Sequence, residues 1–140
     1  MKNILIINGP NLNLLAKREP EIYGNVSFED FLIELRQEFP DIEISYYQTN
    51  HEGAIIDKLQ AAADTFEAVI LNAAAYTHTS IAISDTLKML NIPIVEVHIS
   101  NINQREEYRK FSYVSNHAAL IIMGEGLAGY AKAVSFLANL

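Results

Sequence analysis

The chain has 140 residues, 50% of them hydrophobic, which fits one domain with a sizeable core. Cysteine is absent, so disulfide bonds, thiolate zinc sites and a thiol nucleophile are excluded. The formal net charge of -7 argues against a nucleic-acid-binding protein, which normally carries a basic face. Because the sequence has neither a membrane-length apolar stretch nor the features of a signal peptide at its N-terminus, we expect a cytoplasmic protein with no membrane partner.

The predicted elements alternate between strands and helices. Short β-branched runs are typical of strands in a parallel sheet. Ser27 has the position of a helix N-cap, Pro40 ends that helix, and Thr79 or Ser80 can cap a later one. In chain order we predict a strand at 2–7, a lid loop at about 8–26, a helix at about 28–39, a strand at 42–47, a helix at about 53–65, a strand at 68–71, a helix at about 81–90, a strand at 94–97, a loop with a short helix at 99–111, a strand at 120–123 and a helix at 127–138.

This alternation predicts a three-layer α/β domain with a five-stranded parallel sheet. Right-handed crossovers with helices on both faces favour the doubly wound, flavodoxin-like strand order 2-1-3-4-5. Such sheets bind ligands beyond the carboxyl ends of their strands, where this chain places Asn8, Gln48, Asn72, His98 and Gly124. We therefore expect residues 1–140 to form a single catalytic domain, whose cleft lies between the loops after strands one, three and four.

Glu96 and His98 are a candidate acid/base pair in the fourth strand. Residues two apart in a strand share one face, so the carboxylate can orient and charge the histidine. A buried carboxylate without a partner would be costly. The alternative is that Glu96 lies at a sheet margin and His98 is an ordinary histidine at the edge of the core.

Tyr23 and Arg18 form a second candidate pair in the loop at 8–26, and loops of this length in compact domains are typically lids or binding loops. A nearby guanidinium lowers the pKa of a tyrosine and could make it a base. Arg105 or Arg109 could add to this effect, and such a concentration of cations on an acidic protein suits an anionic small ligand. The alternative is that Arg18 pairs with a neighbouring glutamate while Tyr23 is a hydrophobic plug.

Other polar positions are less specific. His78 lies beside threonines and a serine, so it could be a ligand contact or part of a helix entry. Asn8, Asn11 and Asn13 are also ordinary turn residues. Small residues after Asn72 would let main-chain amides face a ligand.

Four sequence blocks follow one another along the chain: NGPNLNLLAKREPEIYG, LNAAAYTHTS, VEVHISNINQREEYRKFSY and GEGLAGY. In this order and spacing they resemble the type II 3-dehydroquinate dehydratases, and the resemblance covers essentially the whole chain. It implies a flavodoxin-like fold, no metal or organic cofactor, and a homododecamer built from four trimers. It also implies a lyase that removes water from 3-dehydroquinate to give 3-dehydroshikimate, in the shikimate route to aromatic compounds or in quinate breakdown.

The resemblance also assigns roles to individual residues. Tyr23 would be the base, held as phenolate by Arg18 and Arg105, and His98, oriented by Glu96, would be the acid. Asn11 would stabilise the enolate through a water. The implied substrate-binding positions are Asn72, His78, Ile99, Ser100 and Arg109, with Asp85 reaching in from a neighbouring subunit.

Two other classes of function fit the sequence less well. A signalling or cofactor-binding module on the same fold would need an acidic cluster or a phosphate loop after strand one, and the chain has no GxxxxGK motif. A catalytically dead relative would not need to keep the tyrosine, the loop arginines and the Glu96/His98 pair. A lysine imine mechanism belongs to TIM-barrel enzymes, for which this chain is too short.

Overall fold

The computed structural model describes residues 2–17, 21 and 25–140. Its five strands are β1 (Lys2–Asn8), β2 (Ile42–Gln48), β3 (Ala68–Asn72), β4 (Ile94–His98) and β5 (Leu120–Met123). They pair in parallel in the order β2-β1-β3-β4-β5, which confirms the predicted fold class and strand order. β1, β3 and β4 are therefore interior strands.

Four α-helices lie within the described residues: α1 (Phe28–Glu38), α2 (Glu52–Thr65), α3 (Ile81–Lys88) and α4 (Ala128–Ala138). The hydroxyl of Ser27 accepts a hydrogen bond from the amide of Asp30 at 3.2 Å, so the predicted cap of α1 is confirmed. Of the two candidates for the cap of α3, Ser80 has this role, because its hydroxyl accepts from the amide of Ile83 at 2.9 Å.

The core lies on both faces of the sheet. Because successive side chains of a strand point to opposite faces, Ile4 and Ile6 of β1 pack in one hydrophobic cluster while Leu5 and Ile7 pack in the other. The first cluster includes α1 and α4, and the second includes α2 and α3. The result is the predicted three-layer arrangement, which holds the carboxyl ends of the strands at one edge.

The loop predicted at 8–26 differs from the structure in its first part. Asn8 belongs to β1, a short 3-10 helix spans Leu12–Leu14, and the side chains of Leu12 and Leu15 are buried in the core. These residues are anchored by packing. Residues 18–20 and 22–24 lie outside the described residues.

In the described part of the chain, no helix combines the length and the apolar character needed to cross a membrane.

Candidate active site

A cleft opens beyond the carboxyl ends of β1, β3 and β4, as the strand order predicts. Three connections line it: the start of the loop after β1, the 3-10 segment Ala74–His78 after β3, and the loop after β4 with its 3-10 turns Ile102–Gln104 and Glu107–Arg109. Its lining residues are Pro10, Asn11, Leu12, Asn72, Ala74, Ala75, His78, His98, Ile99, Ser100, Ile102, Arg105 and Arg109.

Close backbone contact between the first two connections explains why they converge. The amide of Gly9 donates to the carbonyl of Asn72 at 2.8 Å. A Cβ atom at Gly9 would lie 2.7 Å from the carbonyl oxygen of Ala73, so only glycine fits there without displacing the backbone. Asn11 follows with a φ of 70°, and its amide donates to the side chain of Asn50 at 3.0 Å. These contacts hold Asn11 at the rim of the cleft.

Glu96 and His98 form the predicted pair. Glu96 lies in β4 between β3 and β5 and is 1% exposed, so the alternative that placed it at a sheet margin is wrong. Its Oε2 lies 2.5 Å from Nε2 of His98, a residue that is 5% exposed and lines the cleft. The carboxylate therefore orients the imidazole from inside the sheet.

Two serine hydroxyls complete the environment of Glu96. Ser112 Oγ donates to Oε2 at 2.6 Å and Ser115 Oγ donates to Oε1 at 2.5 Å. Burial alone would raise the pKa of Glu96, but the hydrogen bonds from His98, Ser112 and Ser115 outweigh it and hold the pKa below its usual value of 4.5. An ionised carboxylate only accepts hydrogen bonds. We therefore assign the hydrogen of the neutral ring to Nε2 of His98, which leaves Nδ1 able to accept a hydrogen bond or a proton.

His78 has a different partner. Its Nδ1 lies 2.8 Å from the backbone carbonyl of Phe111, which can only accept, so this nitrogen carries the hydrogen. Burial lowers the pKa of His78 below its usual 6.5, and the bond to Phe111 offsets this in part. The neutral form is thereby favoured, with Nε2 as a hydrogen-bond acceptor. His78 is not the helix cap, since Ser80 has that role.

Arg105 and Arg109 bring two cations to the cleft. Arg105 Nη1 donates to Ser100 Oγ at 3.4 Å, which connects two residues of the loop after β4. Arg109 Nε lies 2.6 Å from a carboxylate oxygen of Glu106, and its guanidinium carbon is 5.3 Å from the ring centre of Tyr108. Both guanidinium groups are thus oriented by their own loop while they line the cleft.

Asn72 is fixed by a buried polar network. Its Nδ2 donates to Tyr130 Oη at 3.0 Å and its Oδ1 accepts from the amide of Ala74 at 3.1 Å. Tyr130, which is completely buried in α4, donates in turn to Oδ1 of Asn8 at 2.8 Å. The amide of Ala74 is therefore used within the protein, whereas the sequence had suggested that amides of this stretch face a ligand.

Some predicted residues lie elsewhere. Gln48 donates to the carbonyl of Gly9 at 3.1 Å and Gly124 donates to the carbonyl of Ser100 at 3.1 Å, so both support the loops from behind. Asp85 is exposed on α3 and does not line the cleft of its own chain. Arg18 and Tyr23 lie outside the described residues.

Sequence reasoning missed three residues that support the site. Ser112 and Tyr130 lie in blocks that carry the family resemblance, and Ser115 lies two residues beyond the block that contains Ser112. A sharper signal was available for the serines, because a buried glutamate in an interior strand requires several hydrogen-bond donors. In residues 2–17, 21 and 25–140, no group of three or more histidine, aspartate and glutamate side chains is placed to hold a metal ion.

A parallel α/β sheet with a carboxylate-oriented histidine at its carboxyl edge has the arrangement of an acid/base enzyme. The family model described as "Dehydroquinase class II" matches residues 2–138. The chain belongs to this family.

Individual relatives cover nearly the whole chain. A 3-dehydroquinate dehydratase of Clostridium botulinum (strain Hall) is 49% identical over 141 aligned residues, which span 99% of this chain and 96% of that protein. The crystal structure of the type II dehydroquinase from Butyrivibrio crossotus is 45% identical with a TM-score of 0.92, covering 98% of this chain and 97% of the other. The crystal structure of the type II dehydroquinase from Propionibacterium acnes is 42% identical with a TM-score of 0.95, covering 100% of this chain and 98% of the other.

Proposed function

We propose that the chain is a 3-dehydroquinate dehydratase, a hydro-lyase of class EC 4.2.1.10, which removes water from 3-dehydroquinate to give 3-dehydroshikimate in the shikimate pathway. The observation that carries this proposal is the position of His98, oriented by the buried Glu96, in a cleft that also holds two arginines. Family membership and the relatives' names point to the same reaction.

Elimination from a β-hydroxy ketone requires a base for the proton next to the carbonyl, a stabiliser for the enolate and an acid for the departing hydroxyl. His98 is the proposed acid: protonated Nδ1 gives its proton to the leaving oxygen, and Glu96 stabilises the imidazolium beforehand. The base is Tyr23 as tyrosinate, with Arg18 and Arg105 favouring the phenolate, and Asn11 stabilises the enolate through a water. Positioned acid and base groups each contribute about 10² to 10⁴ in rate.

The remaining cleft residues bind the substrate. The substrate carboxylate is bound by the backbone of Ile99 and by the backbone and hydroxyl of Ser100. Arg109 binds the ring hydroxyls. Asn72 and His78 also bind the substrate, and Nε2 of neutral His78 can accept a hydrogen bond from a substrate hydroxyl. The positive charge of Arg105 and Arg109 suits an anionic substrate.

Asp85 is proposed to complete the site of a neighbouring subunit in a homododecamer of four trimers. Its exposed position on α3, away from the cleft of its own chain, supports a contribution to another chain's site. Activity would then depend on assembly. We further propose that the enzyme works in the cytoplasm, as a single catalytic domain with a lid formed by the part of the 8–26 loop that follows Leu15, and without a metal or organic cofactor.

The test is the ultraviolet absorbance of the conjugated enone product when purified protein meets 3-dehydroquinate in the presence of a chelator. We expect a rapid rise that the chelator does not slow. Tyr23→Phe should abolish most of this rise, by about 10² to 10⁴ in kcat, while the ligand still binds. Binding without any absorbance rise in the natural sequence would instead identify an inactive relative, and a lysine adduct trapped by borohydride would contradict the enolate mechanism.

A further inference from the structure

The segment Phe111–Ser115 hydrogen-bonds to His78 and to Glu96, the partner of His98, although none of its five residues lines the cleft. The carbonyl of Phe111 accepts from Nδ1 of His78 at 2.8 Å. The hydroxyls of Ser112 and Ser115 donate to the two oxygens of Glu96, which binds His98. One short stretch of chain thus hydrogen-bonds directly to His78 in the connection after β3, and through Glu96 it acts on His98 at the end of β4.

This segment is itself held rigidly. The amide of Tyr113 donates to the carbonyl of Thr77 at 2.9 Å, next to His78. Val114 is 1% exposed and packs in the hydrophobic cluster that contains α2 and α3. The amides of Val114 and Ser115 donate to Ser112 Oγ at 3.1 and 3.2 Å. Core packing and these turns therefore fix where the donors and the acceptor lie.

The two serine hydroxyls have a direction that the network determines. Ser112 Oγ accepts from two backbone amides, so its single hydrogen is free to point at Glu96. Ser115 Oγ faces the other oxygen of the same carboxylate. With both oxygens occupied by donors, the carboxylate cannot rotate without losing a buried hydrogen bond, and such a loss is costly. The direction of the Glu96–His98 bond follows from this arrangement.

We propose that Phe111–Ser115 is a positioning element for the reaction, in which Ser112 and Ser115 hold Glu96 as an oriented acceptor for Nε2 of His98 while the Phe111 carbonyl sets the tautomer of His78. None of these residues touches the substrate; they act through Glu96 and the histidines. The kinetic part of this inference rests on the proposed dehydratase function. The hydrogen-bonding part does not, since it concerns the free protein.

The test combines kinetics with NMR on the whole protein. Ser115→Ala, Ser112→Ala and the double variant are compared with the natural sequence for kcat and KM on 3-dehydroquinate. In parallel, the imidazole ¹⁵N shifts of His98 and the side-chain carboxyl ¹³C shift of Glu96 are followed against pH without substrate. We expect the double variant to lose about 10- to 100-fold in kcat with little change in KM, because misorientation of the acid affects the transition state most. The titration of Glu96 should move to higher pH.

Ser115→Ala is the cleanest variant, because its hydroxyl is not a cap for backbone amides, as that of Ser112 is. Ser115→Thr keeps the hydroxyl and should restore most of kcat. Ser27→Ala is the matched control for lost stability, since it removes a serine that accepts from one backbone amide at the start of α1, away from the cleft. It should leave kcat and the His98 shifts unchanged.

Unchanged kcat, an unchanged Glu96 titration and unchanged His98 ¹⁵N shifts in a folded Ser115→Ala protein would overturn the proposal. So would an equal loss of kcat in Ser27→Ala, because general destabilisation would then explain the effect. If the natural protein does not convert 3-dehydroquinate, the proposed function fails. The NMR shifts of the serine variants would still support or contradict the positioning role by themselves.

Discussion

The two cleft histidines differ in the group that each one faces. Nε2 of His98 contacts the ionised Glu96, whereas Nδ1 of His78 contacts a neutral backbone carbonyl. A carboxylate stabilises the positive charge that proton uptake creates, while a carbonyl fixes a tautomer without adding a charge. Two residues of the same type at one cleft are thereby given different tasks: His98 can exchange a proton, and His78 can accept a hydrogen bond.

The largest effect is expected from removing the proposed acid. His98→Ala should reduce kcat by about 10² to 10⁴, because the leaving hydroxyl then has no positioned proton donor. His78→Ala should act mainly on KM, with a loss of about 1 to 3 kcal/mol in binding, as expected for one hydrogen bond to a substrate hydroxyl. Steady-state kinetics with 3-dehydroquinate measure both.

The comparison between the histidines fails if the two variants show the same pattern. A His78→Ala protein that loses kcat as strongly as His98→Ala, at unchanged KM, would assign a proton-transfer role to His78. His117→Ala is a suitable control, since this histidine contacts Ser84 on α3, outside the cleft lining. His117→Ala should retain the kcat of the natural sequence. Gel filtration first shows whether this variant keeps the assembly state of the natural protein.

A smaller effect, on the free energy of unfolding, is expected from a substitution in the uncharged hydrogen-bond network around Asn72. Tyr130→Phe removes one hydroxyl that contacts both Asn8 and Asn72, so two buried amide groups lose a partner. We expect the free energy of unfolding to fall by about 1 to 3 kcal/mol in urea titrations at fixed protein concentration. Tyr46→Phe is the matched control, because Tyr46 contacts Asn8 only at 3.5 Å and is partly exposed. An equal loss in both variants would contradict this assignment.

Strand order and the composition of the cleft were predictable because they follow from the alternation of short apolar strands with amphipathic helices. That pattern placed Asn72, His98 and the loop arginines at one edge, and the period of two placed Glu96 beside His98. These predictions used neighbouring residues and a general rule for parallel sheets.

Contacts between residues far apart in the chain could not be predicted in the same way. Tyr130 is 58 residues from Asn72, and an aromatic residue at its position in α4 would be predicted to be an ordinary core residue. Ser112 and Ser115 lie in a connection whose sequence has no helical or alternating hydrophobic pattern. The direction of their side chains therefore depends on how Val114 packs into the core. The anchoring of Leu12 and Leu15 was missed for the same reason: a loop rich in polar residues gives no indication of which apolar residues are buried.

The smallest effect is the dependence of the free energy of unfolding on pH, to which Glu96 and His78 contribute in different pH ranges. The pKa of Glu96 is lower in the folded protein than the usual 4.5, so its stabilising contribution is present above pH 4.5 and is lost as the pH falls through the folded value. The pKa of His78 is also lowered, from 6.5, and because the folded state disfavours its charged form, its contribution is lost as the pH falls below 6.5. Urea titrations from pH 7 downwards should therefore show two windows of decreasing stability. His78→Gln should flatten the upper window and Glu96→Gln the lower one, whereas a single window unaffected by His78→Gln would mean that burial does not keep His78 neutral.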